Sequence, residues 1–363
     1  MVIPDKLMLS AVFISMFVHE TSSQTPINKQ LPLSVSDLDK QKEYKSLKLA
    51  ALAPPDKVYK LNLSASDLIA FPSEILKFRN LQILWLNNNK IAAIPAGIAK
   101  LKNLETIYLQ NNEITGLPAE FGQLQYLRLI DLSNNRLDSV PFLFCELKNL
   151  EVIRLSGNKI GNFSASICKL SKLEELDLGA NKLVHLSEEI SGLQKLSKLY
   201  LNRNALETLP AGIGQVSQLK ELRLSSNKLS ILPNEIGALK ELKELELDSN
   251  QLSALPAELG NLLNLHSIRI ANNRISSFPA EIGKLKSLAF LYAGNNEIDA
   301  LPAEIGDLET LQCLELQKNQ LEVLPAAIGN LHKLAKLALN NNPITSSEKE
   351  RLKTVLPGVQ FVF

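Results

Sequence analysis

Leucines return along this chain with a period of 23 residues. The pattern LxxLxLxxNxL, as in Leu81 to Ile91, recurs thirteen times without insertion or deletion. Its first position falls at Val58, Leu81, Leu104, Leu127, Leu150, Leu173, Leu196, Leu219, Leu242, Leu265, Leu288, Leu311 and Leu334. A fixed period of this length marks a solenoid, in which each unit buries its apolar face only against its neighbours. Length alone would suggest two or three domains, but an unbroken register of repeats makes one array. Such an array presents a long surface rather than a pocket, so binding is the function it favours.

Within each unit the LxL step alternates apolar and outward residues, the period of a strand with one buried face. The rest reads xxLPAEIGxLxx, as in Leu301 to Leu308. Proline followed by an acidic residue suits the first turn of a short helical or 3-10 segment. Each unit is therefore a strand, a turn and a short return, and the array is an α/β solenoid with a parallel sheet. The glycine of the IG pair is replaced at Leu76, Ala99, Cys145, Cys168 and Ser191, so that position needs a small residue for packing rather than a positive φ. Asparagine ends the strand motif in twelve of thirteen units, from Asn89 to Asn342, with Ser66 in the first. A polar residue at one fixed point of an apolar repeat must satisfy backbone groups at a bend.

This pattern resembles the leucine-rich repeat family over roughly residues 58–357. Its LPxxIGxL form is similar to the repeats of Ras-suppressor and Scribble-like scaffolds and of bacterial secreted leucine-rich proteins. The resemblance implies a curved horseshoe with the strands on the concave face, helical or 3-10 turns on the convex face, and partners bound in the concavity. It carries no catalytic residues over.

An open stack needs capped ends. Before the first strand, Ser36 through Leu52 reads as one amphipathic helix stopped by Pro54 and Pro55. After the last unit, Ser347 to Leu356 reads as a charged helix, and Val359 to Phe363 as a strand covering the edge. The apolar run Leu7 to Val18 is too short to span a bilayer. With Lys6 before it and Thr21-Ser22-Ser23 behind, it reads as a secretory signal peptide. The expected organisation is a signal at 1–23, a cap helix and linker at 24–57, repeats at 58–345 and a C-terminal cap at 346–363. The mature chain is expected to be secreted, periplasmic or at the cell surface, with no transmembrane anchor.

Composition excludes more than it selects. Lys and Arg number 39 against 38 Asp and Glu, which gives no pull toward nucleic acid or anionic membrane. Three cysteines make no disulfide framework, although Cys145 and Cys168 share one slot in adjacent units; a bridge and two free thiols are both open. The four histidines fall in unrelated places, and acidic pairs such as Glu174-Glu175 lie on strands with no pocket around them. No metal, cofactor or enzymatic activity is expected. Sequons occur at Asn62 and Asn162.

The informative surface is the pair of outward columns of the sheet. They hold two apolar clusters: Ile83, Trp85, Tyr108, Leu129 and Val152 near the N-terminus, and Phe290 with Tyr292 near the C-terminus. Between them the face carries both signs of charge and includes Arg154 and Tyr200. Contiguous exposed apolar residues mark contact surfaces, and Trp, Tyr and Arg are common anchors. These nine residues are the candidate site, and an unidentified protein is the expected partner. An intracellular scaffold for a Ras-like GTPase and a carbohydrate- or surface-binding adhesin are the alternatives. Ten of twelve return turns carry proline, and the exceptions, Ser164 and Ser187, are adjacent. Residues 140–192 are therefore expected to be the least regular part of the array.

Overall fold

The computed structural model describes residues 31–363; the expected signal segment lies outside the described residues. Strands are three residues long because the alternating LxL step is all that separates one bend from the next. They run β2 (Lys60–Asn62), β3 (Ile83–Trp85) and onward at the repeat spacing to β14 (Lys336–Ala338). With β1 (Glu43–Tyr44) before and β15 (Gln360–Val362) after, they form a single parallel sheet in strict chain order. The register is offset by one repeat throughout, pairing Ile83 with Thr106, Leu84 with Ile107 and Trp85 with Tyr108. Inward leucines such as Leu84 and Leu86 are fully buried, and one continuous core runs the length of the solenoid. The return segments, from Ser73–Lys77 to Ala326–Asn330, are 3-10 turns.

In the ten repeat turns that carry it, proline sits one residue ahead of the turn rather than in its first position. Its carbonyl accepts the N–H three residues on, as from Phe121 to Pro118 at 3.0 Å, so the ring fixes the entry to the turn while its missing donor goes unneeded.

The asparagine ladder ties units together. The Nδ2 of Asn112 donates to the carbonyls of Leu109 in its own unit (3.0 Å) and Leu86 in the unit before (2.9 Å). Its Oδ1 accepts the N–H of Ile91 at 3.0 Å, and the same three bonds recur up to Asn342. One buried amide thus replaces ladder partners that the bend removes, which would otherwise cost about 1–3 kcal/mol per unpaired group. The residue just before it takes a left-handed conformation in every unit, with φ between 50° at Ala65 and 69° at Gly157. Asn88, Asn111, Asn134, Asn272, Asn295 and Asn341 supply the side chain that tolerates this best after glycine.

The IG glycine is there for close approach. A Cβ placed on Gly237 would stand 2.3 Å from the carbonyl oxygen of Glu258 and 2.8 Å from its Cβ, and Gly214, Gly260, Gly283 and Gly306 are equally confined. None of these five has a positive φ, so packing of one turn on the next excludes the side chain. In the slots where the residue is Cys145 or Cys168 the thiols are free. Burial, with Glu189 nearby, pushes the Cys168 thiol up to about 12, so it packs as a neutral group.

The N-terminal segment differs from expectation. In place of one helix from Ser36 to Leu52 there are two short ones, α1 (Val35–Asp39) and α2 (Leu47–Ala50), with β1 between them. Ser34 and Ser46 cap them by accepting the N–H of Asp37 (3.3 Å) and Leu49 (3.2 Å). A helix of this length has little stability of its own. The intervening residues gain more by pairing with β2, a tertiary partner invisible to periodicity. Gln82, fully buried, exchanges two bonds with the backbone of Leu33 and a third with Glu105, mimicking a strand partner for the incoming chain. At the other end α3 (Ser346–Val355) matches the expected helix. Its buried Glu348 accepts the N–H of Leu324 and pairs with Arg351.

Candidate functional site

The outward columns lie on the sheet face as the alternation requires, and the structure sorts the nine candidate residues into three groups. In the first, the rings of Trp85 and Tyr108 stack in register, 5.9 Å between centroids and 7° from parallel. Ile83 shares the strand of Trp85, whereas Val152 lies two strands beyond that of Tyr108; both are half-buried. Leu129 departs from expectation. It faces the same side, but it is only 4% exposed. Its register partners are Thr106 and Val152, about one strand spacing away on either side. It offers little surface to a partner.

The second group is closed by its own charges. Arg154 binds Glu175 at 2.6 Å and faces Asp131 at 4.0 Å. The Tyr200 hydroxyl donates to Glu221 at 2.7 Å, and the Arg223 guanidinium lies 4.6 Å above its ring. Burial, together with the Glu221 carboxylate, drives the Tyr200 hydroxyl far above its ordinary pKa, so it remains a donor. Lys198 pairs with Glu221, Arg223 with Glu246, and Arg269 with Asp248. The centre of the face therefore offers neither apolar area nor much uncommitted charge.

The third group is again aromatic. Phe290 and Tyr292 stack 6.4 Å apart and 3° from parallel, His266 meets Phe290 edge-on at 5.3 Å, and Arg269 covers Tyr292 at 4.8 Å. His266 and Arg269 were outside the candidate set. Their signal was position, since both flank the aromatic strand one unit before it. Among the described residues, no three His, Cys, Asp or Glu side chains converge to hold a metal. Nor is any helix there long and apolar enough to cross a membrane.

The family model described as "Leucine-rich repeat region" matches residues 161–271 and 250–355, more than half of the chain. A second, "Leucine rich repeat", matches 56–114, 79–137 and 102–160. No curated protein matches the chain. Among solved structures, a leucine-rich repeat protein of Leptospira interrogans is 34% identical, with a TM-score of 0.67 over 89% of this chain and 100% of its own. An internalin, InlF, from Listeria monocytogenes shares the fold, with a TM-score of 0.74 at 24% identity over 85% of this chain and 87% of its own. A chain of the octameric complex of Latrophilin 3, Unc5D and FLRT2 matches at 27% identity with a TM-score of 0.62, over 75% of this chain and 85% of its own. With thirteen in-register repeats, a continuous parallel sheet and these likenesses, the chain belongs to the leucine-rich repeat family.

Proposed function

We propose that this chain is an exported, non-enzymatic scaffold that holds a protein partner on the concave face of its sheet, anchored at the N-terminal apolar patch. The observation that carries this reading is the Trp85–Tyr108 stack. It is a flat pair of aromatic rings on the open side of the sheet, with Ile83 on the strand of Trp85 and no role in any core layer. Large aromatic side chains in that setting are the usual anchors of protein interfaces. The self-paired charges of the central units favour an apolar anchor over an electrostatic one. The chain of the Latrophilin 3, Unc5D and FLRT2 complex supports the same use of the fold. The apolar run Leu7 to Val18 supports export.

Affinity capture with the chain lacking residues 1–23 as bait supplies a partner, and substitution then locates it. Trp85→Ala weakens binding by about 2 kcal/mol or more with little loss of stability, whereas Arg223→Ala costs much less binding. Leu86→Ala, one residue further along and facing inward, does the reverse and destabilises by roughly 2–5 kcal/mol. A folded Trp85→Ala protein with unchanged affinity would move the site to Phe290 and Tyr292. The near-parallel rings of Trp85 and Tyr108 also form the kind of platform on which a sugar ring stacks, so binding on a glycan array would favour the adhesin reading instead. Intact mass of protein from its native host tests export, by loss of roughly the first two dozen residues.

A further inference from the structure

The C-terminal aromatic patch is built differently from the Trp85–Tyr108 pair. Its two rings come from one strand, β12 (Phe290–Tyr292), rather than from neighbouring strands. Arg269, the register partner of Tyr292 on β11 (Ser267–Arg269), lies over that ring, so the ring faces across the strands. Phe290, two residues back on the same strand and within 3° of parallel, extends it into one flat wall. His266 and Arg269 stand on the β11 side of the wall. Its other side looks toward β13 (Cys313–Glu315), where Cys313 and Glu315 are the register partners of the two rings.

An amide prolongs the wall. Gly294 follows Tyr292 on the same face, and a Cβ there would stand 2.5 Å from Nε2 of Gln317. The glutamine side chain therefore lies across position 294, in the room that the missing side chain leaves. Its carbonyl oxygen is buried and accepts no hydrogen bond, an unfavourable state that an entering donor would relieve. Both cations of the patch are committed, Arg269 to Asp248 at 2.9 Å and Lys336 to Glu315 at 2.7 Å. A flat apolar surface, an amide and balanced ion pairs suit a neutral ligand with an apolar face and hydroxyl groups around its edge.

We infer that this patch is a saccharide site, with a neutral pyranose ring laid on the Phe290–Tyr292 wall and one of its hydroxyls donating to Gln317. A β-linked, gluco-configured ring carries its substituents equatorially. Its C–H groups then form two flat apolar faces, and its polar groups point outward. A protein partner would gain less here, because two rings among paired charges lack the desolvated apolar centre of a protein hot spot. The site is nine strands from Trp85, roughly 40 Å along the sheet, and is independent of the protein partner proposed for the N-terminal patch.

Calorimetric titration of the full chain with cellohexaose and chitohexaose tests it, read beside the emission of Trp85, the only tryptophan. At least one of the two sugars binds with a Kd below about 1 mM and leaves Trp85 emission unchanged. Phe290→Ala weakens that binding by about tenfold or more, and Gln317→Leu, which keeps both rings, by about threefold or more. Trp85→Ala binds the sugar like the wild type. No binding of either sugar at about 5 mM overturns the inference. So does binding that both patch variants retain in full, and so does binding that shifts Trp85 emission, which would put the sugar on the N-terminal pair. Loss of a captured protein partner in Phe290→Ala but not in Trp85→Ala would make the patch a protein interface, and overturns it as well. The titration needs no captured protein, so it can fail while the N-terminal protein reading stands, and the reverse.

Discussion

Residues 210–330 and residues 140–192 are built from the same repeat and solve its packing differently. In the first stretch every turn is entered by proline and carries a glycine against which the next turn closes. The carbonyls of Glu235, Glu258, Glu281 and Ala327 sit where a Cβ would otherwise be. In the second, serine replaces proline at 164 and 187, cysteine or serine replaces the glycine at 145, 168 and 191, and a cleft opens beside Gly161. Both stretches keep the strand leucines buried and the asparagine ladder bonded. The sheet side of the solenoid is thus the invariant part. The convex side is where units are free to diverge, because only there can a turn loosen without breaking the register of its strand.

If that contrast is energetic, equivalent core substitutions should cost different amounts. Ile236→Ala is expected to destabilise by roughly 2–5 kcal/mol, toward the upper end because its surroundings are pinned by adjacent turns. Ile167→Ala, the same position in the irregular stretch, should fall toward the lower end, since a site that can collapse leaves a smaller cavity. Equal midpoint shifts in chemical denaturation would make the irregularity cosmetic.

Glycine sharpens the comparison. Gly237→Ala must push back a backbone carbonyl and should cost about 1–3 kcal/mol, whereas Gly161→Ala meets open space and should stay within about 0.5 kcal/mol. A costless Gly237→Ala would show that the turns can separate, removing the reason for glycine there.

Hydrogen exchange reads the same difference without mutation. Amides of the turn at Ala165–Lys169 should exchange faster than those at Asn234–Ala238, because fewer restraints oppose local opening. Protection equal in the two turns would mean the missing prolines are merely tolerated.

The smallest effect expected is acid sensitivity at the C-terminal end, far from either stretch. The bond from Arg351 holds the Glu348 carboxyl below its usual range. A carboxyl lowered in the folded state contributes stability that is fully present above its unfolded value, about 4.3, and lost as pH falls through the folded one. Signals from α3 should therefore hold at pH 5 and weaken below about 4 before the central units change. Simultaneous loss along the whole chain would argue against a separate acid-labile end.

The repeat, the direction of every strand residue, the small-residue slot and the two aromatic clusters were all legible in the sequence. Each depends on spacing, and a period of 23 places like residues side by side whatever the details of the turn. Trp85 and Tyr108 had to be neighbours because they occupy one position in successive units. Tertiary structure alone decided what depends on a partner supplied by another segment. It buried Leu129 and split the N-terminal segment into two helices around β1, because pairing with β2 outweighs a marginal helix. It also committed the central charges to one another, and opened the cleft at Gly161 where two altered turns happen to adjoin. Periodicity places a side chain on a face; only the neighbours on that face decide how much of it remains open to solvent or to another molecule.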